Sequence, residues 1–134
     1  MENYADAAGR HWGDGLLLER ESRLENADQL YGIAAECAIK AALVASAGNC
    51  ASNGLAKAYK AHIDELWDKV SANAIPRHLA ALPPLLKMDN PYSDWKIDQR
   101  YARNGTVTAD ALERHKMMAK RLVSAVGVVG TRTK

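Results

Sequence analysis

Residues 26–47, NADQLYGIAAECAIKAALVASA, decide the fold. Ala27, Tyr31, Ala34, Ala38, Ala41 and Ala45 recur every three or four positions, the spacing that stacks side chains along one face of an α-helix. Leu30, Ile33, Cys37 and Val44 form a second apolar stripe, and Ile39 and Leu43 fill other directions. A helix apolar around most of its circumference belongs in the middle of a bundle. One narrow polar strip keeps helical register: Glu25, Gln29, Gly32, Glu36 and Lys40. Functional chemistry is expected near that strip, or on segments that fold across it.

Outward from this helix, residues 3–22 read as a first helix, with Tyr4, Ala8, Trp12 and Leu18 near helical intervals. Gly9, Gly13 and Gly15 each weaken a helix by about 1 kcal/mol relative to Ala, which points to a break or to close packing there. Gly48-Asn49 and Ser52-Asn53-Gly54 end the central helix. A third helix is expected over about 57–72, where Ile63, Leu66, Trp67 and Val70 share a face. Pro76 opens a short fourth segment carrying Leu79, Leu82 and Leu85, which Pro83-Pro84 is expected to kink or end. Asp89 to Ser93 reads as a turn, and 94–105, DWKIDQRYARNG, as a connection that packs its aromatics on the bundle. Thr108 is placed to N-cap a last helix from Ala109 to about Val129, with Leu112, His115, Ala119, Leu122, Val126 and Val129 as its packed seam. No strand is expected. The fold class is therefore all-α: one domain over 1–134, an up-and-down bundle of four to five helices.

A formal net charge of +2 identifies no nucleic-acid or membrane partner by itself. Its distribution is uneven, since residues 1–30 are mainly acidic and 109–134 mainly basic. Either the first and last helices attract each other, within the bundle or across a dimer, or the basic end faces RNA or a nucleotide. Cys37 and Cys50 form no CxxC and no disulfide framework, which suggests a reduced compartment. With no signal-like N-terminus and no apolar run of membrane-spanning length, the cytoplasm is the expected location and no membrane association is expected.

Glu36 and Lys40 stand four apart in the orientation that favours an ion pair, either as a structural contact or as a carboxylate that positions an arginine from elsewhere. Asp98, Arg100, Tyr101, Arg103 and Asn104 concentrate the donors and acceptors that could complete such a site: guanidinium forks take phosphate, and a tyrosine ring can stack on a base. His62 and His115 are the histidines on ordered helices, while His11 and His78 look like surface residues. No HxxxH, HExxH, P-loop, G-x-G-x-x-G or G-x-S-x-G is present, so no dedicated metal site and no cofactor are expected.

Taken in order, LYGIAAECAIKAAL, HIDELW, DWKIDQRYA and TADALERH resemble the HEPN-like domains of bacteria and archaea, over about residues 24–128. The resemblance implies a helical bundle that commonly forms a homodimer around a shared cleft. It also implies nucleotide or RNA transactions, often in a toxin–antitoxin or defence pair with a nucleotidyltransferase. Catalytic members carry an arginine followed by a histidine after four to six residues. Here Arg103-Asn104 begins that pattern, but Thr108 stands where the histidine would be. The Arg100-Tyr101 pair instead resembles the Arg-Tyr branch, in which nuclease chemistry is not a general expectation. By that resemblance Glu36, Lys40 and Arg100 line the cleft, with His62, Asp98 and Tyr101 next to them. Three functions follow as expectations. The first is a non-catalytic module binding a nucleotide, RNA or a partner protein. The second is a metal-independent ribonuclease using His62 or His115 as base and Arg100 or Arg103 at the transition state. The third is a purely structural dimerising subunit.

Overall fold

The computed structural model describes residues 3–101 and 105–127, excluding the side chains of Arg100 and Tyr101. Among them are five α-helices: α1 (Tyr4–Arg20), α2 (Leu24–Val44), α3 (Ile63–Lys69), α4 (Leu82–Leu86) and α5 (Ala109–Ala125). The architecture is an all-α bundle in which α1 and α5 pack against α2. Contrary to the expectation of no strand, Cys50–Ala51 (β1) and Gly54–Leu55 (β2) pair antiparallel. Each is two residues long, a hairpin that turns the chain after α2.

The Ala-rich face of α2 explains the packing. Ala27, Tyr31, Ala34, Ala35, Ala38, Ile39, Ala42 and Leu43 are fully buried, and the small residues let neighbouring backbones approach closely. α1 follows the same logic. Asn3 caps it by accepting from the Asp6 N–H, and Ala8 and Trp12 face the core. A Cβ at Gly15 would lie 2.7 Å from the Tyr31 ring, so this glycine marks close packing rather than a break. Ser22, with φ at 61°, then reverses the chain into α2.

The strip of α2 expected to be polar is in fact largely covered: Gln29, Glu36 and Lys40 are buried, whereas Val44 of the apolar stripe is 38% exposed. The reason is that two later segments lie over the strip. The turn at residues 91–95 and the 3-10 segment Ile97–Tyr101 cover Gln29 and Gly32, and the start of α3 covers Glu36. Trp95 is fully buried with its indole against Gly32, so the tryptophan of this connection packs on the bundle.

Three boundaries differ from expectation; one is the end of the last helix, which stops at Ala125 rather than about Val129, a residue outside those described. The third helix is only Ile63–Lys69, preceded by a separate 3-10 turn at Lys57–Tyr59, because His62 is extended and Glu36 supplies the cap on which α3 begins. Pro83 and Pro84 start α4 rather than ending it; in a first turn their missing N–H groups have no intrahelical partner to lose. The last helix begins as expected, with the Thr108 hydroxyl accepting from the Ala111 N–H at 3.1 Å. No helix among the described residues is long and apolar enough to cross a membrane.

Candidate functional site

Two polar clusters lie on α2, two helical turns apart, with Gly32 and its Trp95 cover between them. The first is centred on Glu36. Its Oε2 accepts from Lys40 Nζ at 3.0 Å, and its Oε1 accepts from the Ile63 N–H at 3.0 Å and lies 3.2 Å from His62 Nδ1. Glu36 and Lys40 are each about nine-tenths buried, whereas the His62 side chain is 52% exposed. Glu36 therefore holds a buried ammonium and caps α3, and His62 lies at the edge of that arrangement. Next to Glu36, the Cys37 thiol is pushed up to about 11 by burial and then by the Glu36 charge, which makes it inert.

The second cluster is centred on His115. Its ring is sandwiched edgewise between two carboxylates, with Nδ1 2.7 Å from Asp28 Oδ1 and Nε2 2.8 Å from Asp94 Oδ1. With both carboxylates ionised, both contacts are hydrogen bonds only when both nitrogens carry hydrogen, so the arrangement favours the imidazolium. Burial works against the charge, but the hydrogen bonds and charges of Asp28 and Asp94 outweigh it and raise the pKa of His115 above its ordinary 6.5. Further bonds fix each partner. Gln99 Nε2 donates to Asp28 Oδ2 at 2.7 Å, and Trp95 Nε1 to the Asp28 carbonyl at 3.1 Å. Arg114 Nη1 reaches both Asp94 oxygens at 2.8 and 2.9 Å. Tyr92 stacks on the imidazole at 5.3 Å and donates its hydroxyl to the His115 carbonyl. Although burial raises the carboxyl pKa of Asp94, the bonds from His115 and Arg114 prevail and hold it below its ordinary value.

His115 and its two carboxylates form the floor of a pocket of about 550 Å³, lined also by Lys96, Asp98, Gln99, Thr106, Val107, Thr108 and Ala111. Lys96 is committed to Asp64 at 2.9 Å. Glu25 Oε2 receives the Gly105 N–H at 2.8 Å, tying the start of the 105–108 segment to α2.

The structure thus divides the residues expected at one cleft. Glu36, Lys40 and His62 gather at the start of α3, whereas Asp98 and His115 line the pocket. Arg100 and Tyr101 close the 3-10 segment Ile97–Tyr101 next to that pocket; their side chains, and Arg103 as a whole, lie outside the described residues. Asp28, Asp94, Gln99 and Arg114 were not anticipated. The one hint was Asp28 itself, a carboxylate set into the most apolar stretch of the chain beside Ala27 and Tyr31. Among the described residues, no group of three or more His, Cys, Asp or Glu side chains is arranged to hold a metal ion. No family model matches the chain, and neither the curated proteins nor the solved structures give a match.

Proposed function

We propose that the chain is a non-catalytic binding module of the HEPN-like kind, which takes a nucleotide, an RNA or a partner protein at the His115 pocket and its Arg100-Tyr101 edge. One observation carries the choice of binding over catalysis. His115, the histidine facing the pocket, has both ring nitrogens engaged by carboxylates, and the exposed carboxylate is itself held by Arg114. A general base needs a free lone pair within reach of its substrate, and while both ring nitrogens donate to carboxylates His115 offers none.

The lining also bears on how a ligand would sit. Lys96 and His115 are already paired, while Asp98 makes no hydrogen bond or ion pair among the described residues. A phosphate on the pocket floor would meet carboxylates without a free cation among the described lining. A nucleotide would instead direct its amino and hydroxyl donors to Asp98, and its phosphate toward the Arg100 end of the Ile97–Tyr101 segment. The homodimer and a nucleotidyltransferase-type partner belong to the same proposal, on the strength of the family resemblance.

The test is a native mass spectrum of the full chain as purified, without added ligand. A species carrying extra mass equal to a nucleotide, lost in both Asp98→Ala and Arg100→Ala, supports the module and its site. Clean protein, with no adduct and no shift on titration with mononucleotides, rejects the nucleotide reading and leaves the partner protein.

The ribonuclease reading has one observation in its favour. His62 Nδ1 is oriented by Glu36, and the exposed ring has no partner on Nε2 among the described residues. It requires RNA cleavage that disappears in His62→Ala while the circular dichroism spectrum is unchanged. Absence of cleavage in the wild type ends it.

A further inference from the structure

The His115 cluster joins three separate parts of the chain: Asp28 from α2, Asp94 from the turn at residues 91–95, and the imidazolium from α5. The two carboxylates are not equivalent. Asp28 is 1% exposed and is also fixed by Gln99, whereas the Asp94 side chain is 47% exposed at the pocket. We propose that His115 is a proton-operated latch on the pocket: loss of one proton frees Asp94 and leaves a bare Nε2, held in place by Asp28, as a hydrogen-bond acceptor on the pocket floor.

The chemistry follows from proton counting. A neutral imidazole carries one N–H, so only one of the two contacts survives as a hydrogen bond, and the other sets a lone pair against a carboxylate. The buried contact is the one to keep, because an unsatisfied Asp28 has no water to turn to. The proton therefore stays on Nδ1, donating to Asp28 Oδ1, and the one lost is that on Nε2. Asp94 can then rotate into solvent with Arg114 still attached, since that guanidinium is 44% exposed.

The other groups facing the ring fit this assignment. Arg114 Nη1 lies 3.5 Å from Nε2 and disfavours a second positive charge there, so it assists the loss of the proton. Tyr92 presents its ring face, and its hydroxyl is committed to the His115 carbonyl, with its own ionisation moved upward by burial. Lys96 and Asp98 lie farther out on the pocket wall, with Lys96 held by Asp64. In the protonated state the pocket floor is a saturated ion network. In the neutral state it offers an oriented nitrogen acceptor, suited to a hydroxyl or amino donor of a ligand. As a control on ligand binding, the latch rests on the pocket being the ligand site; as a change in the pocket floor, it does not.

The experiment uses the free full-length chain and no ligand. Diethyl pyrocarbonate acylates a neutral, accessible imidazole nitrogen, and peptide mapping by mass spectrometry assigns the modified histidine. The exposed His78 is the internal reference for reagent access. His115 should stay unmodified while His78 reacts, and become reactive only at higher pH. In Asp94→Ala, loss of a neighbouring carboxylate should move that onset down by about 1–3 pH units. His115 ring shifts in a long-range ¹H–¹⁵N spectrum should give a midpoint that matches the onset in each protein. The latch is overturned if His115 remains unreactive throughout, or if it follows the His78 profile in wild type and variant alike. Neither result depends on whether a nucleotide binds, so the two proposals fail separately.

Discussion

Gly32 decides whether the two polar clusters of α2 can coexist on one helix. A Cβ at that position would lie 2.2 Å from the Trp95 indole, and Trp95 is fully buried and bonded to the Asp28 carbonyl. Gly32→Ala must push the indole off its seat, so urea denaturation should show a loss of about 1–3 kcal/mol. Gly13 is the control of opposite sign: it is exposed within α1, and a Cβ there meets nothing within 4 Å. Gly13→Ala should gain about 0.5–1 kcal/mol from helix propensity alone. If both variants lose stability equally, the Gly32–Trp95 contact is not what constrains that site. One turn further along α2, Glu36→Gln keeps an oxygen to cap Ile63 but leaves the buried Lys40 ammonium without its counter-charge. That should cost about 3 kcal/mol, most of which the double change Glu36→Gln with Lys40→Met should restore. An unaltered urea midpoint in the single variant would mean that Lys40 reaches water by itself.

At the level of elements, the His115 network is an electrostatic tie between α2, the turn at residues 91–95 and α5, and its pH dependence has a definite sign. Despite burial, the two carboxylates raise the pKa of His115 on folding. Its contribution is therefore complete below 6.5 and lost as pH rises through the higher folded value. For Asp94 the sign is opposite: its contribution is present above 3.8 and lost as pH falls through the lowered folded value. Glu19, lowered by bonds from Tyr31 and Lys116 that prevail over burial, adds a second acid limb below 4.5. His11, lowered by burial and then by the Arg10 charge, opposes His115 by losing stability as pH falls below 6.5. Unfolding free energy measured in urea should therefore fall on the acid side below about 4.5, and the fall that begins just above 6.5 should be removed in His115→Gln. An unchanged alkaline limb in that variant would assign the fall to another group. Much of this element structure could be read in advance. Thr108 caps α5, Glu36 and Lys40 pair, and the connection after residue 94 buries its tryptophan, because each depends on local spacing or hydropathy. The His115 network could not be read, since its partners are 87 and 21 residues away and only tertiary packing brings them to the same ring. The extent of α3 was overestimated for a related reason. Its apolar face continues the helical period, but a carboxylate from α2 fixes where the helix starts.

In the molecule as a whole, the buried apolar residues form one contiguous cluster that includes Trp12 from α1, Trp67 from α3 and Trp95 from the turn before the pocket. Each tryptophan is tied to a different region: Trp12 packs on Tyr31 at 5.4 Å, Trp67 donates to the Met88 carbonyl, and Trp95 to the Asp28 carbonyl. The weakest connection is at α3 and α4, short helices joined by 3-10 turns: α3 is held to α2 through Glu36 and the face of Ile63, Leu66 and Trp67, and α4 packs on α5. If that region were a separate folding unit, Trp67 would report an earlier transition than the long helices. A single core predicts otherwise, because Ile63 and Leu66 are fully buried in the cluster that also contains α2 and α5. Three variants, each retaining one tryptophan and carrying Phe at the other two positions, allow the comparison within a single molecule. In every variant the urea transition followed by fluorescence should coincide with that followed by far-UV circular dichroism, whatever the overall loss of stability. Separation of the two curves only in the variant that keeps Trp67 would show that α3 and α4 open independently. The Glu36 cluster would then be a hinge rather than a fixed support for the pocket, and ligands at the His115 site would leave the stability of α3 unchanged.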